Sequence, residues 1–418
     1  MRVHSQYIPH ACGGDEDKVA PRSGMSGNSL CPPPKHGQGI LVVTRSRFEQ
    51  PYLDGFVAWY TRLGVECFLV FADDEMQLPL LPHSVHVLRS AKTGNELLKE
   101  FLAPVQRSAY RWALAIDVDE YLFLAPRFLS LKQYVANAER EYTGARIDAF
   151  QFPWVRVEMF QPHCSHDSIS RTLQQRGLLY HSDAHVKTMS RISQVARFTN
   201  PHSPVVQERE NEWQLRSSVY TAGTLWHPRT GSLIRPPLNI SASRALRSAL
   251  AKGVWLPPFS PADPVSDQRK YADTALVHVQ TRSLANMLIK AATTRLRNGN
   301  GNITKRIANI SALGRLAVDA VQRGRGSELS GVLEPFAKAV GVKARLALSN
   351  LRVQDSAVNV THLISAALRF NHGTNNDQPA MCNAQLEQAI FADVFAKEGL
   401  APGQLWDLLQ AVSEELVV

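Results

Sequence analysis

Long apolar runs are missing from this 418-residue chain. No stretch approaches the roughly 18–20 residues needed to cross a bilayer; the longest candidates, 65–72 and 111–118, are strand-sized. Met1 to Pro34 carries charges, Gly, Pro and Ser but no apolar core of roughly 7–15 residues, which argues against a secretory signal and for a cytoplasmic protein. Cysteine is scarce. Cys12, Cys31, Cys67, Cys164 and Cys382 are odd in number, widely spaced and without a C-x-x-C pair, which argues against a disulfide framework or a zinc ribbon. No repeat period is evident, and the 44% hydrophobic, 20% charged composition excludes collagen-like, coiled-coil and wholly disordered chains.

The length suits two or three domains at roughly 150 residues each, with ample chain to bury a core. Residues 1–37 read as a disordered tail ending in Cys31-Pro32-Pro33-Pro34. Order begins at Gly39. Ile40–Val43 is a short continuous apolar run, the pattern of a strand buried on both faces. Pro51 opens a helix with Leu53, Phe56, Val57, Tyr60 and Leu63 on one face, and Gly64 ends it. Strands follow at 67–71, 85–88, 112–116 and 149–152, with helices at 94–110 and around 130–140. Strands alternating with helices predict βαβ units in a mainly parallel sheet. From 161 to 270 the text is irregular, with strand-like pieces at 185–192 and 218–226. Leu276–Val279 is a last strand before a helix from Leu284. The expected organisation is a tail (1–37), an α/β domain (38–298) and a helical C-terminal region (299–418).

Two strand ends carry clustered carboxylates, Asp73-Asp74-Glu75 and Asp117-Val118-Asp119-Glu120. Ligands of open α/β sheets sit beyond such ends. If the strand runs on in extended form, Asp117 and Asp119 share a face. Their mutual repulsion is relieved by a cation, and Mn2+ or Mg2+ completed by substrate phosphates is the expected partner.

Ala115-Ile116-Asp117-Val118-Asp119-Glu120-Tyr121-Leu122 resembles the "iDxDEFl" signature of the family 2-like and family 92-like glycosyltransferases. Residues 39–71 resemble that family's opening strand, "YLxEWxxxHxxxGV" helix and second strand. Asn200-Pro201-His202 resembles its histidine after a basic strand, and His278-Val279-Gln280-Thr281-Arg282-Ser283 its "HYxxKS" motif. The resemblance spans about residues 39–297. It departs from the family where Thr44-Arg45-Ser46 replaces Lys-Asn-Glu, where Asp73-Asp74-Glu75 replaces Asp-Asn-x-Ser, and at Val279 and Arg282.

The resemblance implies a GT-A-type, Rossmann-like nucleotide-sugar-binding domain and a metal-dependent, inverting glycosyltransferase. Asp117 and Asp119 would hold the metal, with His278 as first choice of further ligand and His202 as second. Thr44, Arg45 and Asp73 would face the nucleotide. Lys187, Arg191 and Arg282 would contact phosphate oxygens, the conserved chemistry being charge on charge. Glu158 is the candidate base, with Asp167 and Asp183 competing. The acceptor would be a glycan or a lipid-linked sugar.

A haloacid-dehalogenase-like phosphotransferase also uses a D-x-D after an apolar strand, but wants it on the first strand, with Thr or Gly following. A nucleic-acid-binding protein is disfavoured because no recognisable nucleic-acid motif accompanies the net charge of +9. Nine basic residues and one acidic lie between Arg282 and Arg325, which accounts for nearly all that excess and fits peripheral contact with an anionic membrane. His163-Cys164-Ser165-His166-Asp167 lacks a second ligand pair at zinc spacing and reads as a loop over the site. Sequons at Asn239, Asn302, Asn309 and Asn359 read as chance matches without a secretory signal.

Overall fold

The computed structural model describes residues 30–34, 39–72, 81–90, 92, 94–142, 147–158, 164, 172, 179–197, 205–206, 219–221, 224–226, 273–283, 285–286, 289 and 380–397. Its elements in chain order are β1 (Ile40–Ser46), α1 (Gln50–Arg62), β2 (Cys67–Ala72), β3 (Val85–Arg89), α2 (Gly94–Gln106), β4 (Trp112–Ala115), β5 (Glu120–Leu124), α3 (Leu131–Glu141) and β6 (Ala149–Glu158). They continue with β7 (Leu179–Arg191), β8 (Val195–Arg197), β9 (Val205–Val206), β10 (Val219–Thr221), β11 (Thr224–Trp226), β12 (Thr274–Thr281) and α4 (Ala384–Lys397).

The continuous apolar runs are buried strands. Ile40 and Val42 of β1 enter one core cluster, and Leu41 and Val43 the other. Successive side chains of a strand point to opposite faces, so β1 is covered on both. Strand order in the main sheet is β11-β10-β6-β7-β4-β1-β2-β3, with β12 joining β5 and β6. β1 pairs parallel with β2 and β4, and β2 with β3. From β1 the chain steps to β2 and β3 on one side, then crosses back to β4 on the other. The strand order therefore reverses between β1 and β4.

The mainly parallel sheet expected from the alternation of elements is corrected here. β7 runs antiparallel to both β4 and β6, and β12 antiparallel to β5. Apolar period marks a strand but not its direction, and β5, four residues beyond β4, is joined by a turn rather than a helical crossover. The fold is mixed α/β with a partly antiparallel sheet.

A disulfide framework, disfavoured by the cysteine count, is also corrected. Cys31 bridges Cys67 and Cys164 bridges Cys382, with Cα separations of 6.0 and 6.3 Å. Spacing in sequence carries no information on such pairs when they close over 36 and 218 residues. Cys31 is buried, although it falls in the stretch read as a disordered tail.

α4, from the region beyond residue 298, packs on α1. A Cβ on Gly55 of α1 would stand 2.4 Å from the Ala380 carbonyl oxygen, so only glycine admits this approach. Asn383 N–H donates to the Pro51 carbonyl at 2.7 Å, while the Asn383 side chain caps α4 through Leu386 N–H at 3.0 Å. Among the described residues no helix is long and apolar enough to cross a membrane.

Candidate functional site

Asp117 and Asp119 lie just past the end of β4, beside the end of β1. The chain there is a turn, not an extended strand: Glu120 N–H donates to the Asp117 carbonyl at 3.1 Å. The alternation argument for a shared face therefore fails, and the two carboxylates have different surroundings.

Asp117 is held by two cations. Lys187 Nζ of β7 lies 2.6 Å from Asp117 Oδ2, and Arg45 Nε of β1 lies 3.0 Å from Oδ1. Burial disfavours the carboxylate, but the Lys187 and Arg45 charges more than offset this and hold the Asp117 carboxyl well below its usual range. Burial likewise disfavours the Lys187 ammonium, and Asp117 and Glu120 together raise it.

Asp119 pairs with a different side chain. His278 Nε2 of β12 stands 3.6 Å from Asp119 Oδ1, and the His278 ring lies tilted against Trp154 of β6, with centroids 4.4 Å apart. Burial lowers the imidazole and Asp119 more than reverses it, so His278 is raised above the ordinary histidine value. The ladder fixes this meeting: His278 is opposite Glu120 on β5 and opposite Arg156 on β6, while Val279 N–H donates to the Asp119 carbonyl at 2.8 Å.

Glu120 is wholly buried beneath the turn. Its Oε2 accepts the Asp117 N–H at 2.8 Å and lies 3.3 Å from Lys187 Nζ. α1 anchors the strand that carries it: Tyr60 Oη donates to the Glu120 carbonyl at 3.0 Å, and Trp59 Nε1 to the Leu122 carbonyl at 3.1 Å. Burial outweighs the pull of Lys187 and pushes the Glu120 carboxyl up to about 7. The native state thus favours protonated Glu120, and stability falls as pH rises from the ordinary 4.5 through about 7. The span corresponds to roughly 3 kcal/mol. Glu120→Gln is expected to remove that slope, seen as urea midpoints at pH 5 and pH 8 that converge relative to the parent.

Arg282 is also wholly buried, with its guanidinium 3.9 Å over the Tyr52 ring and 3.5 Å from Glu49 Oε1. Beside it Glu387 of α4 accepts from Tyr52 Oη, from Ser283 Oγ at 2.6 Å and from Cys164 N–H at 2.7 Å. The C-terminal helix thereby reaches the residues behind the site.

The structure brings Arg45, Asp117, Asp119, Lys187 and His278 together. Arg45, 41% exposed, is the cation open to solvent; Lys187, at 1%, is a buried counter-ion. Thr44 is buried in β1, its hydroxyl donating to its neighbour's carbonyl at 3.4 Å. Arg191 is not brought to the site. It lies opposite Trp112 at the other end of β4, with Nη2 3.1 Å from Glu139 and 2.7 Å from the Ile147 carbonyl. Asp73, Asp167 and His202 lie outside the described residues, as do the side chains of Glu158 and Asp183. Cys164 is disulfide-bonded, so it supplies no thiolate to a zinc site in the 163–167 segment. Of the basic charges at 282–325, Arg282 is buried and the others lie outside the described residues. Sequence reasoning missed Tyr52, Trp154 and Glu387, for which no local signal exists.

Two of these side chains could hold a divalent cation. Asp119 and His278 adjoin and offer an oxygen and a nitrogen donor, a set compatible with manganese. Asp117 is engaged by Lys187 and Arg45, and with Asp119 and His278 it does not bring three ligand atoms within 4.8 Å of one another.

No protein-family model matches this chain, and no curated protein does. Among solved structures, the crystal structure of S. aureus TarS 1–349 is similar at a TM-score of 0.21 and 9% identity, over 90% of each chain. A likeness of that size carries no argument.

Proposed function

We propose that the chain is a nucleotide-sugar-dependent glycosyltransferase whose donor diphosphate lies over the 117–119 turn. The observation that carries this reading is position. A half-exposed arginine, a carboxylate–imidazole pair and a buried ion-pair cluster meet where the strand order reverses, beyond the carboxyl ends of β1 and β4. Arg45 contacts a phosphate oxygen. Asp117 fixes the Arg45 guanidinium and keeps Lys187 neutralised.

Asp119 and His278 would hold a divalent ion, manganese or magnesium, which would neutralise charge on the leaving diphosphate. A metal there would require the neutral His278 ring, whereas Asp119 favours the protonated one. Glu158, whose backbone is opposite Thr281 at the end of β12, is the candidate base. In that role it takes the acceptor hydroxyl proton as the acceptor oxygen bonds to the anomeric carbon and the nucleoside diphosphate departs with inversion. A glycan or lipid-linked sugar is the acceptor class. The two disulfides favour an oxidising compartment over the cytoplasm expected from the sequence.

The test is a thermal melt with UDP or GDP, with and without Mn2+, followed by a donor screen. Mn2+-dependent nucleotide protection and donor turnover are expected. Asp119→Ala should melt near the parent temperature yet lose both, with turnover down at least roughly a hundredfold. Hydrolysis of a generic aryl phosphate without nucleotide protection would instead identify a phosphotransferase.

A further inference from the structure

We propose that Cys31, Cys67 and His86 form a zinc-class metal site when the two sulfurs are reduced. Among the described residues this is the group of three ligand-capable side chains whose donor atoms all lie within 4.8 Å of one another. It stands at the start of β2, away from the 117–119 turn, and does not depend on the transferase reading.

The ladder builds the site. His86 of β3 is opposite Leu69 of β2, and Cys67 lies two residues before Leu69, so Cys67 and His86 share a sheet face. Cys31 arrives from the N-terminal segment and is buried against the same core cluster as Cys67. His86 Nε2 is buried without a hydrogen-bond partner. His86 thus offers a ring nitrogen within 4.8 Å of both sulfurs and carries a buried nitrogen that the disulfide alone leaves unexplained, which lone-pair donation to an ion would explain. Burial also lowers the His86 pKa, which favours the neutral ring that a metal requires.

The distances suit both states. Two thiolates on one tetrahedral zinc ion, at about 2.3 Å each, stand about 3.8 Å apart. The 6.0 Å Cα separation of Cys31 and Cys67 spans either that gap or a covalent bridge, so exchange needs only side-chain movement. In the exchange a dithiol reductant gives two electrons to the Sγ–Sγ bond. The bond breaks, two protons complete the thiols, and the dithiol closes to its own disulfide. Zinc then displaces one proton from each thiol and takes the His86 lone pair, with water as fourth ligand. A newly made chain carries thiols, so the ion would pin the N-terminal segment to β2 before oxidation does.

The test uses the full chain, reduced with a phosphine under anaerobic conditions and titrated with Co2+ as a spectroscopic stand-in for zinc. One Co2+ per chain with a thiolate-to-cobalt charge-transfer band is expected, with Zn2+ displacing it. The oxidised chain and the Cys31→Ser/Cys67→Ser double variant should show no band. His86→Ala should bind roughly tenfold or more weakly, while its oxidised form melts near the parent temperature. A reduced parent without the band overturns the proposal. So does a band undiminished in the double variant or in His86→Ala.

Discussion

Asp117→Ala is expected to destabilise the protein by roughly 3–5 kcal/mol, because it strands Lys187 in the interior beside a carboxyl that prefers its proton. Lys187 is 1% exposed, and its best partner is the lost carboxylate at 2.6 Å. Glu120, pushed up to about 7, replaces it only in part. Adding Lys187→Met to the same chain removes the stranded charge while keeping the stem's volume, and should recover most of the loss. Urea denaturation of the parent, the single and the double variant measures this. If the double variant is no more stable than the single one, Lys187 is not the source of the cost. Nucleotide protection should not return with stability, because Arg45 has lost the carboxylate that orients it.

The second large effect lies more distant from the turn. Glu387→Ala is expected to cost roughly 3–5 kcal/mol, since one buried carboxylate satisfies three donors from three segments. Tyr52, Ser283 and the Cys164 amide lose their acceptor at once, beside the buried Arg282 guanidinium. Glu387→Gln retains an acceptor oxygen and should cost less. Lys99→Ala is the contrasting control. Its partner Glu96 is on an exposed helix face, where solvent screens the pair, so its loss should leave the denaturation midpoint close to that of the parent. Equal denaturation midpoints for Glu387→Ala and Lys99→Ala would remove Glu387 as a structural centre.

The contrast between these residues shows what a sequence displays. Ile40–Val43 and Cys67–Phe71 are legible because a strand buried on both faces is an unbroken apolar run. The position of Asp117 and Asp119 past a strand is legible for the same reason. Their geometry is not, because whether residues 117–120 form a turn depends on the Tyr60 and β12 contacts made after folding. The direction of β7 is equally hidden, and so Arg191 was placed at the site when the antiparallel register carries it to the far end of β4. Lys187, four residues earlier on the same strand, reaches Asp117. Glu387 and the disulfides are invisible for a different reason: each is a pairing across long separations, and pairing leaves no periodic trace.

The hydrogen bond between Tyr52 and Glu387 spans 335 residues of sequence. At a synthesis rate of about 5–20 residues per second, roughly 17–67 s separate the emergence of its two ends from the ribosome. Through that interval the side of α1 that α4 will cover has no permanent neighbour, and Gly55 leaves a bare notch there. The β1–β2–β3 ladder needs only local chain and can form early, whereas the floor beneath Arg282 waits for α4. A ribosome stalled between residues 281 and 384 therefore presents all the described strands but an α1 face that α4 has yet to cover, which is the kind of surface that chaperones engage.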